Sequence, residues 1–218
     1  GAGVRIVEGA EGVALEVSAD GGKVDAVRLA DGSSLRAEAL LLCAGAWLRD
    51  LLPVPLAPIK GQMLALRPPE ATEQAAPASL LRRVLFGEEC YIIPRRDGRI
   101  VVGATVEPEA GFSTRSTAGG VQQLLAAASA TIPALADYTL DEVWAGLRPS
   151  TPDLLPILGQ TPWSNTHLAC GYHRNGILLS PLCARLLADQ IEGKLDASDA
   201  ELIAPFEWNR FLSAEGAS

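Results

Sequence analysis

The stretch ACGYHRNGILLSP, residues 169 to 181, constrains the fold more than any other part of the sequence. An apolar run, His167 to Cys170, breaks at Gly171-Tyr172-His173-Arg174-Asn175-Gly176 and resumes as Ile177-Leu178-Leu179. Two glycines enclosing a polar segment predict a strand, a tight loop and a helix that Gly193 closes. The helix starts near Asn175 or Gly176, so its first N–H groups point back at the loop and favour negative charge there. Arg174 adds a full positive charge. Such a loop suits an anion, or a group that becomes one. It equally suits a plain strand-to-helix corner with a surface arginine.

The rest of the chain does not alternate strand and helix. Val4 to Glu8, Val13 to Val17 and Val24 to Leu29 read as strands, and turn signals at Asp20-Gly21-Gly22 and Asp31-Gly32 predict a small antiparallel meander. ALLLCAGAW, residues 39 to 47, reads as a strand covered on both faces and ending in a small-residue turn. Pro53, Pro55 and Pro58 mark a boundary. Beyond it, Gly61 to Arg67, Cys90 to Pro94 and Ile100 to Thr105 read as strands, the last two joined by a hairpin at residues 96 to 99, while residues 68 to 79 read as an exposed loop. Thr117 caps a helix whose apolar residues Val121, Leu124, Leu125 and Ala128 keep helical spacing until Pro133. Tyr138 to Leu147 is a further strand. The order predicts an α+β fold whose two ends pack together.

Composition removes some functions. The net charge of −8 speaks against a broad basic surface for nucleic acid or an anionic membrane. No apolar run approaches the roughly 20 residues of a membrane span, so a cytoplasmic protein is expected. Cys43, Cys90, Cys170 and Cys183 have no CxxC spacing and lie in apolar segments, as reduced, buried thiols do. With only His167 and His173 besides them, no metal site is expected.

Two further segments carry candidate chemistry. In WAGLRPSTPDLLPILG, residues 144 to 159, Arg148 sits at a strand end before Pro149, where a stiff backbone can aim its fork at a carboxylate. A structural salt bridge with Asp153 would use the same residue. In CYIIPRRDGRIVVGAT, residues 90 to 105, Tyr91 offers a hydroxyl for a carboxylate or amine, or is simply a core tyrosine. Arg95, Arg96 and Arg99 read as a solvated hairpin tip.

These segments, together with CAGAW and PIKGQML, follow one another in an order and spacing that resembles flavin-dependent amine oxidases of the D-amino acid oxidase superfamily, above all the glycine oxidases of thiamine biosynthesis. The resemblance covers residues 40 to 193, the C-terminal two-thirds of the family pattern. It implies an FAD cofactor and a fold made of a mixed-sheet substrate domain plus the C-terminal remnant of an FAD/NAD(P)-binding domain. The N-terminal βαβ unit with its GxGxxG fingerprint is missing: Gly1-Ala2-Gly3 is followed by Val4-Arg5-Ile6, with no third glycine. The implied division is 1–50 for the remnant, 51–145 for the substrate domain, 146–193 for the return to the cofactor domain and 194–218 for a tail.

The resemblance also implies roles. Arg148 matches the arginine that clamps the substrate carboxylate, with Tyr91 beside it and Arg174 as a second pocket arginine. Tyr172, His173, Arg174, Asn175, Gly176, Ile177 and Leu178 match the loop and helix start along the flavin ring. Ala44 and Gly45 match small residues near the nucleotide part, and Gly12, with Val13 as its rival, an adenine-contacting position. Glu89 and Val106 depart from the histidine and the larger side chain that some members carry near the substrate. No protein acid or base is implied. The resemblance implies that the amine of glycine or a small D-amino acid loses a proton and the α-hydrogen passes as hydride to the flavin, that O2 is reduced to H2O2, and that in thiamine-making bacteria the glycine imine feeds thiazole assembly. Sarcosine oxidase-like and D-amino acid dehydrogenase-like activities are the neighbouring alternatives. Without the fingerprint, the isolated chain is expected to hold FAD weakly or not at all, which makes an inactive, self-associating module a further alternative. A homo-oligomer is expected in either case.

Overall fold

The computed structural model describes residues 3–69 and 80–214. The loop expected at residues 68 to 79 lies, from position 70 onward, outside the described residues. In chain order the elements are β1 (Gly12–Val17), β2 (Val24–Leu29), β3 (Ser34–Leu35) and β4 (Leu40–Leu42), then a 3-10 turn over Gly45–Asp50. Next come β5 (Ala57–Arg67), β6 (Leu85–Phe86), β7 (Tyr91–Pro94), β8 (Ile100–Gly103) and helix α1 (Ala118–Thr131). The last are β9 (Thr139–Ser150), β10 (Ile157–Gln160), β11 (Thr166–Cys170), α2 (Gly176–Ile191) and α3 (Ala197–Ile203). Sheets and helices are mixed, and the sheets are open. The chain divides into two compact units, Pro58–Arg148 and Gly1–Ala57 with Pro149–Ser218.

In Pro58–Arg148 the sheet order is β6-β7-β8-β5-β9. Side chains alternate between the faces of a strand, and the two faces differ sharply. Leu64, Leu66, Ile92, Ile100 and Val102 turn to one side and pack on Leu124, Ala127 and Ala128 of α1. Each of these larger apolar side chains contributes about 1.5–3 kcal/mol by its burial. The helix begins where the sequence says it should: Thr117 has extended backbone and its side chain accepts from the Gly120 N–H. The opposite face carries Gly61, Met63, Tyr91 and Gly103, whose register is continuous: Phe86 pairs with Tyr91, Tyr91 with Gly103, and Gly103 with Met63.

The other unit holds the expected meander, order β1-β2-β3, and a second sheet, order β10-β11-β4. In that second sheet β10 and β11 are antiparallel, but β11 and β4 are parallel, with Leu168 opposite Leu42. One face packs Leu158 and Ala169 against Cys183 and Leu187 of α2. The other packs Leu42, Leu168 and Cys170 against Leu48, Leu52, Val54 and Leu56.

Three expectations need correction. Val4 to Glu8 forms no strand; Val4 and Ile6 are 78% and 82% exposed, since branched residues favour a strand only where a neighbour pairs with it. The run at 39 to 47 gives only three strand residues before the chain turns into its 3-10 segment, and Leu41 is exposed, so β4 is not covered on both faces. Cys43, just past β4, is exposed, while the other three cysteines are buried; all four are free thiols. Among the described residues, no helix is long and apolar enough to cross a membrane.

Candidate functional site

The candidate residues fall into two groups, one in each unit. In Pro58–Arg148, Tyr91 and Arg148 share the open face of the sheet. The Tyr91 ring lies across Gly103 so closely that a β-carbon there would stand 2.6 Å from its oxygen. Its hydroxyl donates to the Met63 sulfur at 3.7 Å, a weak acceptor that leaves most of the hydroxyl's capacity in hand. Phe86 stacks on the outer side, with ring centroids 6.1 Å apart and planes 11° from parallel. Two residues along β5 from Met63, the Arg148 guanidinium covers Gly61, where a β-carbon would meet Nη2 at 2.4 Å. The two glycines are therefore the floor on which the tyrosine and the arginine lie. Phe86 was not singled out from sequence; only the β6–β7 register places it beside Tyr91.

Arg148 is aimed by its own unit. Its Nη1 donates to the carbonyls of Thr105 at 3.2 Å and Lys60 at 3.4 Å. Carbonyls are neutral acceptors, so these bonds orient the fork without cancelling its charge. Asp153, the candidate salt-bridge partner, takes Arg210, at 2.9 Å from Nε. That arginine, more than the Leu155 N–H and Thr151, and against the effect of burial, draws the Asp153 carboxyl down to about 2.

Behind the arginine lies a buried polar network. Lys60 Nζ, almost fully buried, is 3.0 Å from Glu107 Oε2. Glu107 Oε1 accepts from Gln62 Nε2 at 2.7 Å and, in a very short bond, from Thr105 Oγ1. Gln62 Oε1 accepts from the Thr117 N–H at 2.7 Å. Burial pushes the Glu107 carboxyl up, but the donors Thr105, Gln62 and Lys60 outweigh it and hold it below its usual range.

In the other unit the parallel pairing decides the geometry. Because β4 and β11 run the same way, Cys43-Ala44-Gly45 and Gly171 to Asn175 leave the same end of the sheet. The carboxyl ends of parallel strands are where such sheets hold ligands. Gly45 and Gly171 have φ of +56° and +74°; at Gly171 a β-carbon would also stand 2.8 Å from Thr151. His173 is left-handed too, at φ 50°, a conformation that costs energy for a residue with a β-carbon. It is pinned by its N–H to the Pro149 carbonyl at 2.9 Å and by Nδ1 to Ser150 Oγ at 2.7 Å. Tyr172 is half-buried; burial, then Cys183, raises its pKa and keeps the phenol neutral. Arg174 is exposed, and α2 opens at Gly176 with Ile177 93% and Leu178 78% exposed. The end of the sheet thus combines small residues, the N-terminus of a helix, a cation and an apolar shoulder, which suits a flat ring with an anionic edge.

Gly12 belongs to a different sheet, paired with Leu29, and a β-carbon there would meet Val27 at 3.1 Å. Among the described residues, no group of three or more His, Cys, Asp or Glu could hold a metal ion.

The chain is similar to known proteins in sequence and in fold. The pattern of DAO, FAD dependent oxidoreductase, matches residues 1–190. The chain is 46% identical over 204 residues to a bifunctional protein ThiO/ThiG of Synechocystis sp., covering 93% of this chain and 30% of that protein. It is 37% identical over 196 residues to a glycine oxidase of Pseudomonas aeruginosa, covering 85% of this chain and 50% of that protein. The crystal structure of glycine oxidase from Geobacillus kaustophilus superposes with a TM-score of 0.81 at 34% identity, covering 94% of this chain and 53% of that one. The chain therefore spans about half the length of the glycine oxidases it matches, and less of the bifunctional protein.

Proposed function

The chain belongs to the DAO family of FAD-dependent oxidoreductases, and from that premise we propose that it forms part of an oxidase acting on glycine or another small amino acid. The observation that carries this reading is the open face of β5, β7 and β8. There an oriented guanidinium and a tyrosine hydroxyl lie on glycine floors, within a small stretch of one sheet. A guanidinium held by neutral carbonyls can receive a carboxylate through parallel N–H donors. Phe86 and Met63 leave little polar surface beside it, which favours a substrate with a short, apolar or absent side chain.

The carboxyl end of β4 and β11 fits FAD. Ala44 and Gly45 let a large flat group approach the backbone, the space beside Gly45 being open, and Ile177 and Leu178 offer apolar contact. The N–H groups of the first turn of α2, with Arg174, would stabilise negative charge on the ring edge. Gly12 has a weaker case, since Val27 alone accounts for the glycine. FAD, when bound, would supply the two-electron acceptor: the amine gives up a proton to solvent, the α-hydrogen leaves as hydride to give the imine, and O2 takes up the two electrons and two protons as H2O2. The protein's own part is orientation. Arg148 and Tyr91 fix the carboxylate and thereby the α-carbon. None of the assigned residues has to move a proton.

Anaerobic addition of glycine to the full-length flavoprotein tests the reading. Bleaching of the visible flavin band is expected. A band unchanged by glycine and by small D-amino acids would contradict it.

A further inference from the structure

The polar network behind Arg148 is more elaborate than a sheet edge needs. Thr105 and Lys60, whose carbonyls hold the guanidinium, are also the residues whose side chains enter the network. The backbone makes the same link: Gln62 N–H donates to Thr105 Oγ1 at 2.8 Å, Thr105 N–H to the Gln62 carbonyl at 3.2 Å, and Glu107 N–H to the Lys60 carbonyl at 2.9 Å. Lys60, Gln62 and Thr105 are at most 3% exposed. Lys60 is buried while the Glu107 side chain is 28% exposed, and a lysine placed so deep is stabilising only when its ion pair is well placed and the remaining donors and acceptors are met. Glu107 meets that condition, accepting from Lys60, Gln62 and Thr105 together. The network continues to α1, where Gln62 receives the Thr117 N–H and donates to Thr117 Oγ1 at 3.0 Å, the same hydroxyl that caps the helix. Gln62 is wedged against the helix backbone: a β-carbon on Gly120 would stand 2.2 Å from its Nε2.

We propose that Lys60, Gln62, Thr105 and Glu107 are positioning residues for Arg148, locking the two carbonyls that aim its guanidinium to the N-terminus of helix α1. The proposal rests on Arg148 being the carboxylate clamp. An arginine has many rotamers, and a loosely held one would lose affinity each time it is ordered by substrate. Two carbonyls fixed through a satisfied network remove that loss before the substrate arrives. Glu107 touches neither substrate nor cofactor in this assignment. Its effect passes through Thr105 and Lys60 to the fork.

The test uses the full-length flavoprotein with acetate as a carboxylate probe, followed by its perturbation of the flavin spectrum, and with glycine turnover. Three variants are compared: Glu107→Gln, Gly120→Ala and Arg148→Met. Gly120→Ala leaves every charge in place and favours the helix, yet it must displace Gln62. It carries the test if Glu107→Gln does not fold. The expected result is a rise of about tenfold or more in the acetate Kd and the glycine KM, with bound flavin retained and kcat changed far less. A purely structural network would instead lower flavin content or thermal stability and leave the acetate Kd of the intact protein unmoved, which would overturn the proposal. If Arg148→Met leaves acetate binding intact, the clamp assignment fails and the proposal falls with it. If Arg148→Met loses acetate while both network variants bind it like the parent, only the positioning role is refuted.

Discussion

The guanidinium of Arg148 lies on Gly61, occupying the space where any other residue would place its β-carbon, 2.4 Å from Nη2. The glycine of the PIKGQML segment is thus required by a side chain far from it in sequence. Gly61→Ala should lift the fork off its floor and away from the carbonyls of Thr105 and Lys60. We expect the glycine KM to rise by one to two orders of magnitude, since misplacement by about 1 Å can cost a hundredfold. Thermal stability should change little, because the displaced atoms are the far end of a flexible side chain. Steady-state kinetics beside a melting curve checks both halves.

Phe86 is 75% exposed, so Phe86→Ala should alter stability by no more than about 0.5 kcal/mol. Its stack on Tyr91 predicts a larger effect on substrate choice. Without that ring the edge of the open face widens, and bulkier D-amino acids should gain in kcat/KM relative to glycine. An unchanged ratio would remove Phe86 from the candidate site.

Gly171→Ala attacks the other unit. The new methyl would meet Thr151 at 2.8 Å, and φ of +74° would strain the residue. The loop that carries His173 and Arg174 should shift, and the full-length protein should release FAD at lower dilution. Equilibrium dialysis of FAD reads this directly; Kd should rise at least about tenfold if the loop bears on the cofactor.

How much of this was legible beforehand depends on the distance over which residues act. Helix α1 was legible because its cap, its apolar spacing and Pro133 are all local signals. The loop at 171 to 176 was legible as a glycine-flanked corner between a strand and a helix for the same reason, although the left-handed backbone of His173 was not. The row Phe86–Tyr91–Gly103–Met63 was hidden, because register across four strands is set by pairing and not by any one segment. Gln62 read as an ordinary strand residue and Lys60 as the residue before the strand, and nothing in the sequence joins them to Glu107. Val4 to Glu8 misled because strand propensity says nothing about whether a partner strand exists.

Acid should loosen the C-terminal segment before the rest. The Asp153 carboxyl, normally at 3.8, is drawn down to about 2 chiefly by Arg210. A depressed carboxyl pKa contributes stability that is present above the unfolded value and lost as pH falls through the folded one. The tie between Asp153 and Arg210 should therefore hold down to about pH 4 and disappear by about pH 2. Amide hydrogen exchange over residues 208 to 211, corrected for intrinsic rates, should accelerate in that window. In Asp153→Asn the acceleration should be absent.

The central claim is that Arg148 binds the substrate's carboxylate, and kcat/KM for glycine in Arg148→Met full-length flavoprotein tests it most directly. Removing one partner of such a charge pair costs about 2–5 kcal/mol, so the account predicts a loss of at least roughly thirtyfold, with FAD still bound. Unchanged kcat/KM in a flavin-loaded variant would contradict it.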